Sequence, residues 1–277
     1  TMKNCLLNKI KKLTLSPHKC FSNLCGNLGL FIGLLILTFI SQPLQAQKED
    51  FNWIFGAYDT GRNHFQWDDD LNLTIDTVAT TASFYLTNSA ISDEDGVLSL
   101  YTNGRAIYNG QTHQIVENGD SINYGWYWEY SKPSNNFSAQ NSTLFINSLN
   151  NENESLLFHL NADTVVNVYV NLLANVGGRN LLLTTVTNSN NQIRVLSKNQ
   201  IIIEDTLVVG SLAACRHANG RDWWITSQEA NNNCLNVLLY TPDTLYLHHK
   251  ECVSFSYDYY NISTAKFSPD GSKFIYA

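Results

Sequence analysis

The sequence predicts an all-β chain of repeated, four-stranded antiparallel units, and three observations carry that reading. Period-two alternation recurs, as in Val166, Val168, Val170 and Leu172 against Asn167, Tyr169 and Asn171, the pattern of a half-buried strand. Short β-branched or aromatic runs (LSLYT, LLLTTVT, IRVLS, NVLLYT, VSFSYDYY) are separated by turn residues. Six Asx-Gly pairs punctuate these runs: Asp95-Gly96, Asn103-Gly104, Asn109-Gly110, Asn118-Gly119, Asn219-Gly220 and Asp270-Gly271. Both residue types tolerate positive φ, so each pair signals a tight hairpin and a short antiparallel connection.

The first 46 residues are set apart from this pattern. Lys3, Lys9, Lys11, Lys12 and Lys19 form a basic segment without an acid, followed by the apolar run Leu28 to Ile40. That run of about 13 residues is shorter than the ~20 a membrane span needs. Small and polar residues then lead to Ala46, so residues 1–46 read as a secretory signal-peptide helix cleaved after Ala46; an uncleaved signal anchor is the alternative. The expected localisation is secreted or cell-surface, through the general secretory route, with no membrane span once the signal is removed. Five of the 17 basic residues and none of the 24 acids lie in this segment, which leaves 12 against 24, a net of −12. Such an acidic chain is a poor partner for nucleic-acid phosphates.

From residue 47 onward the strands divide into units. Residues 51–77 supply outer strands before the first unit. Candidate first strands then lie near Ser89–Ser92, Thr143–Asn147, Ser211–Arg216 and Ala265–Ser268. The units run roughly 80–135, 140–207, 208–262 and 263–277, the last cut off. In the second, TLFINSL, SLLFHL, NLLLTTVT and IRVLS are the strands, with NVYVNLL as an extra strand or rival register. In the third they are SLAACRH, RDWWITSQ, CLNVLLYT and ECVSFSYDYY. The polar stretch from Ser131 to Ser155 reads as loops around the strand at Thr143. Four short strands per unit match a blade of a β-propeller, so the fold expected is a partial propeller of about three and a half blades. TNSAISDEDGVLSLYT (Thr87–Thr102) and ISTAKFSPDGSKFIYA (Ile262–Ala277) are similar phrases about 175 residues apart, and the second opens a fourth unit. Further C-terminal modules are expected beyond it.

NWIFG (Asn52–Gly56), AISDEDGVLSLYTNGRAIYN (Ala90–Asn109), RHANGRDWWI (Arg216–Ile225) and KFSPDGSKFIYA (Lys266–Ala277) occur in this order. Together they resemble the N-terminal β-propeller of large exported Bacteroidetes proteins that often carry a type-nine secretion sorting domain. The last phrase is similar to the SPDG repeat of TolB-like and WD-repeat-like propellers. The resemblance covers most of residues 51–277, without a sorting domain. It implies a secreted or surface-attached propeller with binding or adhesion modules downstream.

Cys215, Cys234 and Cys252 follow the signal. Cys215 and Cys234 fall at the far ends of an expected hairpin, where a disulfide would close it; the preferred reading leaves all three as small buried hydrophobes. Arg216, His217, Arg221, Asp222, Trp223 and Trp224 gather two guanidiniums, an imidazole, a carboxylate and two indoles around one turn. An Arg–Asp pair can lock the hairpin and an indole face can stack on a sugar or cation, so these six are the candidate binding residues. A purely structural turn, with one Trp packed between blades, is the competing reading. The acidic runs at Asp68–Asp70 and Asp93–Asp95 lack the spacing of a calcium loop and read as solvated turns. No nucleophile elbow, zinc spacing or phosphate loop occurs, so no catalytic residue, metal or cofactor is assigned. The function expected is a binding scaffold for an extracellular protein, peptide or glycan. The alternatives are a propeller hydrolase or lyase acting on polysaccharide, and a structural spacer in a large adhesin.

Overall fold

The computed structural model describes residues 48–56, 61–137, 139–164, 176–189, 192–230, 232, 234–252, 264–268 and 270–276. The signal segment, NVYVNLL and VSFSYDYY lie outside the described residues. The strands fall into small antiparallel sheets within the unit Gln47–Ala277. The first contains β1 (Asn52–Phe55), β2 (Asn63–Trp67) and β3 (Leu73–Thr77). The second contains β4 (Ser89–Ser92), β5 (Leu98–Thr102) and β6 (Ile107–Asn109). The third contains β7 (Thr143–Asn147), β8 (Glu154–Thr164), β9 (Val176–Ser189) and β10 (Gln192–Leu207). The fourth contains β11 (Ala213–Arg216), β12 (Trp223–Gln228), β13 (Cys234–Tyr240) and β14 (Leu245–Cys252). A hairpin of β15 (Ala265–Phe267) and β16 (Phe274–Tyr276) follows. Each sheet is a meander, its strands paired in chain order. Residues 51–77, expected as outer strands, make a sheet of their own.

Three of the junctions between consecutive sheets are made by first strands. β1 lies beside β4, β4 beside β7, and β11 beside β15. Three first strands end in the same turn. The N–H groups of Gly96, Gly220 and Gly271 donate to the carbonyls of Asp93, His217 and Ser268 at 3.0, 2.9 and 2.8 Å. Those three residues then donate to Val97, Asp222 and Lys273. Of the six Asx-Gly pairs, four join paired strands. Asn109-Gly110 and Asn118-Gly119 instead shape the segment after β6.

Apolar layers fill the spaces between sheets. Ile54, Phe84, Leu98, Tyr101 and Tyr108 pack between the first and second. Ile91, Leu100, Ile107, Phe145, Leu157 and Val186 pack between the second and third. Phe158, Leu160, Leu181, Ile225, Leu238 and Tyr240 pack between the third and fourth. Leu157 and Phe158 are adjacent in β8 and point to opposite layers, as strand geometry requires.

Two expectations about the fourth sheet are corrected. Its fourth strand begins at Leu245, not Glu251, because Thr241 accepts and returns backbone and hydroxyl bonds with Thr244 and closes a turn directly after β13. The disulfide joins Cys234 to Cys252, which face each other across β13 and β14 with Cα atoms 4.0 Å apart. Cys215 is a free, half-buried thiol on β11. It is separated from Cys234 by the whole of β12 and lies toward the opposite end of the sheet. Two strand spacings exceed the ~7 Å Cα limit of a disulfide, so the Cys215–Cys234 pairing is excluded.

A buried polar network ties the segment after β6 to the third sheet. His159 Nδ1–H donates to Asn123 Oδ1 at 2.6 Å, and Thr184 Oγ1 donates to His159 Nε2 at 2.9 Å. Asn123 Nδ2 donates in turn to Gly104 O, which fixes its carbonyl toward the imidazole. Burial pushes His159 down to about 3.

Two outcomes are expected. Unfolded His159 takes up a proton near pH 6.5 whereas the folded form does not until about 3, so stability falls as pH drops below 6.5, by up to about 1.4 kcal/mol per pH unit. His159→Asn should be less stable at pH 7 yet show a flatter urea midpoint between pH 6.5 and 5; an equal slope would exclude His159 as the source. Reduction of Cys234–Cys252, whose partners are 18 residues apart, should cost about 3 kcal/mol in urea unfolding. Cys252→Ser should abolish the response to reductant, and Cys215→Ser should leave it intact.

Candidate functional site

The six residues singled out from the sequence meet at the β11–β12 hairpin but do not converge on one surface. Asn219 and Gly220 make the turn, with Gly220 at φ 73°. The Asn219 side-chain carbonyl accepts from the N–H groups of Arg221 and Asp222, and its amide donates to Asp222 Oδ2 at 2.7 Å. Arg221 Nε binds Asp222 Oδ1 at 2.7 Å, which holds the Asp222 carboxyl below its usual range. Trp223 and Trp224 are neighbours in a strand and face opposite ways. Arg216 lies 4.2 Å over the Trp223 ring, donates to Arg221 O, and pairs with Glu49 at 3.3 Å. On the other face, His217 and His248 flank the Trp224 indole at 5.2 and 5.1 Å. The charged members are therefore engaged in bonds that fix the hairpin.

The acidic runs are likewise turn-forming. Asp68 Oδ1 accepts the N–H groups of Asp70 and Asn72, and Asp93 Oδ1 those of Asp95 and Val97. Asp69 pairs with Lys48 at 2.7 Å. Among the described residues, no group of three or more His, Cys, Asp or Glu side chains is placed to hold a metal.

A different surface has the shape of a ligand site. The segment between β6 and β7 contains YGWYWEY, Tyr124–Tyr130, whose last five residues form the short helix α1 (Trp126–Tyr130). A 3₁₀ turn, Lys132–Ser134, follows. Its neighbours in the chain set the helix faces. Trp126 and Tyr130 are one turn apart and stack at 5.3 Å with planes 12° apart. Tyr127 points inward and meets the buried Phe137 edge-on at 5.3 Å, beside Ala139, Ala162 and Val209. Trp128 lies against Arg105, whose guanidinium is 3.9 Å from the indole ring.

Arg105 is the brace of this segment. It is buried, donates from Nη1 to Trp128 O and to Ser131 Oγ, and its own carbonyl accepts from Trp128 Nε1. The Asn103-Gly104 turn places it. Asn103 Oδ1 accepts the N–H of Arg105, and Asn103 Nδ2 reaches Asn135 O at 2.9 Å. Gly104 has φ 79°, and a Cβ there would lie 2.8–2.9 Å from Thr87 and Phe137, so no larger residue fits without displacement.

The outward side of α1 is aromatic and open to solvent. Trp126 is 46% and Tyr130 70% exposed, with Tyr124 and Tyr85 also exposed. Tyr85 and Tyr130 also line a cleft of about 430 Å³, together with Tyr127, Ser131, Pro133, Ser134 and Asn136. None of these residues carries a charge. This site was missed from sequence because the helix is too short to show a period. The density of aromatics in YGWYWEY was the available signal.

Comparison of the chain with models of known families, with curated proteins and with solved structures found no match. Among the described residues, no helix is long and apolar enough to cross a membrane.

The brace generates a test. Arg105→Met keeps the stem but leaves Trp128 O and Ser131 Oγ without their charged donor. It should destabilise the fold by about 2–3 kcal/mol and reduce the near-UV circular dichroism of the α1 tryptophans. An unchanged spectrum and midpoint would show that α1 is held by Tyr127 alone.

Proposed function

We propose that the chain is an exported or cell-surface recognition module, a propeller-like array of β-meanders whose connecting segments present ligand-binding side chains. The observation that carries this reading is the α1 surface. Large aromatic faces stand in water, on a segment fixed from below by Arg105, Tyr127 and the Asn123–His159 network. Exposed aromatics cost solvation, and a monomer rarely gathers them without a ligand to cover them. A rigid scaffold beneath them lowers the entropy lost on binding.

The propeller description is supported by the two four-stranded meanders, the side-by-side first strands of β1 with β4, β4 with β7 and β11 with β15, and the recurring turn at Gly96, Gly220 and Gly271. Export is supported by the basic and apolar character of residues 1–46 and by the Cys234–Cys252 bond, which oxidising compartments maintain. The partner class is an extracellular protein, peptide or glycan. Recognition is preferred to hydrolysis because the ion pairs at the expected hairpin, Arg221–Asp222 and Arg216–Glu49, serve the fold.

Incubation of the full chain with glycan and peptide arrays tests the reading. Retention of a discrete ligand class, without release of reducing ends or new amino termini on prolonged incubation, is the expected result. Turnover of a bound ligand would replace recognition by hydrolysis. Blank arrays would leave the structural-spacer reading in its place.

A further inference from the structure

We propose that His248 and His249 form a two-imidazole chelate for Cu(II) on the outer face of the fourth sheet. The site is separate from the α1 surface and does not rest on the recognition reading.

In an unbroken strand, successive side chains point to opposite faces, so adjacent histidines cannot serve one ion. β14 is broken at this point. Val237 pairs with His249 and Leu238 with Leu247, which makes His248 the extra residue of a bulge. Asn236 and Leu238, on either side of Val237, are buried, so Val237 and its partner His249 take the outer face. His248 is turned to that same face. It lies edge-on against Trp224 at 5.1 Å and 6.1 Å from Tyr246. Trp224 faces outward because its neighbour Ile225 is buried against the third sheet. The two Nδ1 atoms are thereby brought 2.8 Å apart, on side chains that are both exposed.

Two imidazole nitrogens at this separation can share a proton or an ion. Their ring centroids are 5.0 Å apart with planes at 78°, so the nitrogens now point at each other. Both side chains are exposed, and a small rotation swings the two lone pairs onto an ion beside them. Metal–nitrogen bonds of about 2.0 Å meeting at a right angle separate their nitrogens by about 2.8 Å, and a tetrahedral angle widens this to about 3.3 Å. The observed spacing is that of the right angle. Square-planar nitrogen sites select Cu(II) or Ni(II), and Cu(II) binds most tightly of the divalent series. Zn(II) takes three or four protein ligands, and among the described residues no third His, Cys, Asp or Glu joins this pair. Water completes the coordination. The next residue, Lys250, does not set a free charge against the ion, because it pairs with the buried Glu229.

Calorimetric titration of the full chain with Cu(II), Ni(II) and Zn(II) chlorides, with electron paramagnetic resonance of the Cu(II) form, tests the proposal. One Cu(II) should bind per chain, more tightly than Ni(II) or Zn(II), with a spectrum showing coupling to two imidazole nitrogens. His248→Gln and His249→Gln should each weaken it at least about tenfold, a change of about 1.4 kcal/mol. Both positions are exposed, so the melting midpoints should match that of the parent. Cu(II) should quench fluorescence from Trp224, and Trp224→Phe should remove that part of the quenching. His217→Gln, on the far side of the indole, and Cys215→Ser should leave affinity unchanged. Absence of Cu(II) binding at submillimolar concentration would leave a shared proton alone and overturn the proposal. So would an affinity indifferent to the His248 and His249 variants, or one lost with Cys215. Zn(II) bound as tightly as Cu(II) would overturn the square-planar assignment.

Discussion

The third sheet is apolar on both faces, and that constraint organises the chain around it. β8 sends Leu157 toward the second sheet and Phe158 toward the fourth, each fully buried. A sheet of this kind is stable only when covered twice. Burying a Leu or Phe side chain is worth roughly 1.5–3 kcal/mol, and truncating one in a packed layer costs about 2–5 kcal/mol. The meander connections supply the covering partners from immediately adjacent sequence. Sheet after sheet is therefore stacked in chain order through shared apolar layers. Once stacking fixes the sheets, connecting segments can carry structure that the strands themselves do not encode.

The segment after β6 shows how this happens. It leaves the sheet through Asn109-Gly110, crosses the second apolar layer with Ile122, and is then tied to β8 and β9 by Asn123, His159 and Thr184. A neutral, fully hydrogen-bonded imidazole is a suitable tie, because a buried charge in its place would be costly. Arg105 performs the same task one step later with a charged donor shared between a carbonyl and a hydroxyl. The two ties fix a five-residue helix that would have no stability alone. Its exposed rings are held by contacts made entirely on its inner side.

Much of the strand framework was legible in the sequence, and the reason is local. The first strands were placed at 89–92, 143–147, 211–216 and 265–268, and strands occupy those places because β-branched and aromatic runs end at residues that demand a turn. Legibility failed where a local signal competed with a neighbour. β14 was overlooked because Tyr246, His248, His249 and Lys250 are solvent-facing and do not alternate, whereas the aromatic run just after them does. Neither the Cys215–Cys234 bridge nor the reading of three unpaired cysteines holds, because Cys215 and Cys234 lie on β11 and β13 with β12 between them, and the partner of Cys234 is on β14, which the strand reading does not contain. The turn at Pro242-Asp243 starts the pairing of β13 with β14, and a one-residue bulge at His248, which alternation does not announce, brings Cys252 instead of Glu251 opposite Cys234. The candidate site failed for a different reason. A composition-rich segment without periodicity belongs to no strand, and its importance lies in tertiary ties such as Arg105 to Ser131 that no spacing announces.

The contrast between the two aromatic surfaces decides which is free to act. At the β11–β12 hairpin each ring has an occupant already: Trp223 is covered by Arg216, which is itself held by Glu49, and Trp224 lies between two imidazoles. Displacing them for a ligand would sacrifice a cation–π contact and an ion pair before any new contact formed. At α1 the covered ring is Trp128, over Arg105, while Trp126 and Tyr130 stack on each other beside Tyr127 and keep much of their surface exposed. The same residue types thus serve the fold in one place and remain available in the other. The difference follows from where the chain places its guanidiniums. Arg216 sits above an indole on a strand and closes that surface. Arg105 sits beneath a helix, bonds to its inner side, and leaves the outer rings to solvent or to a ligand.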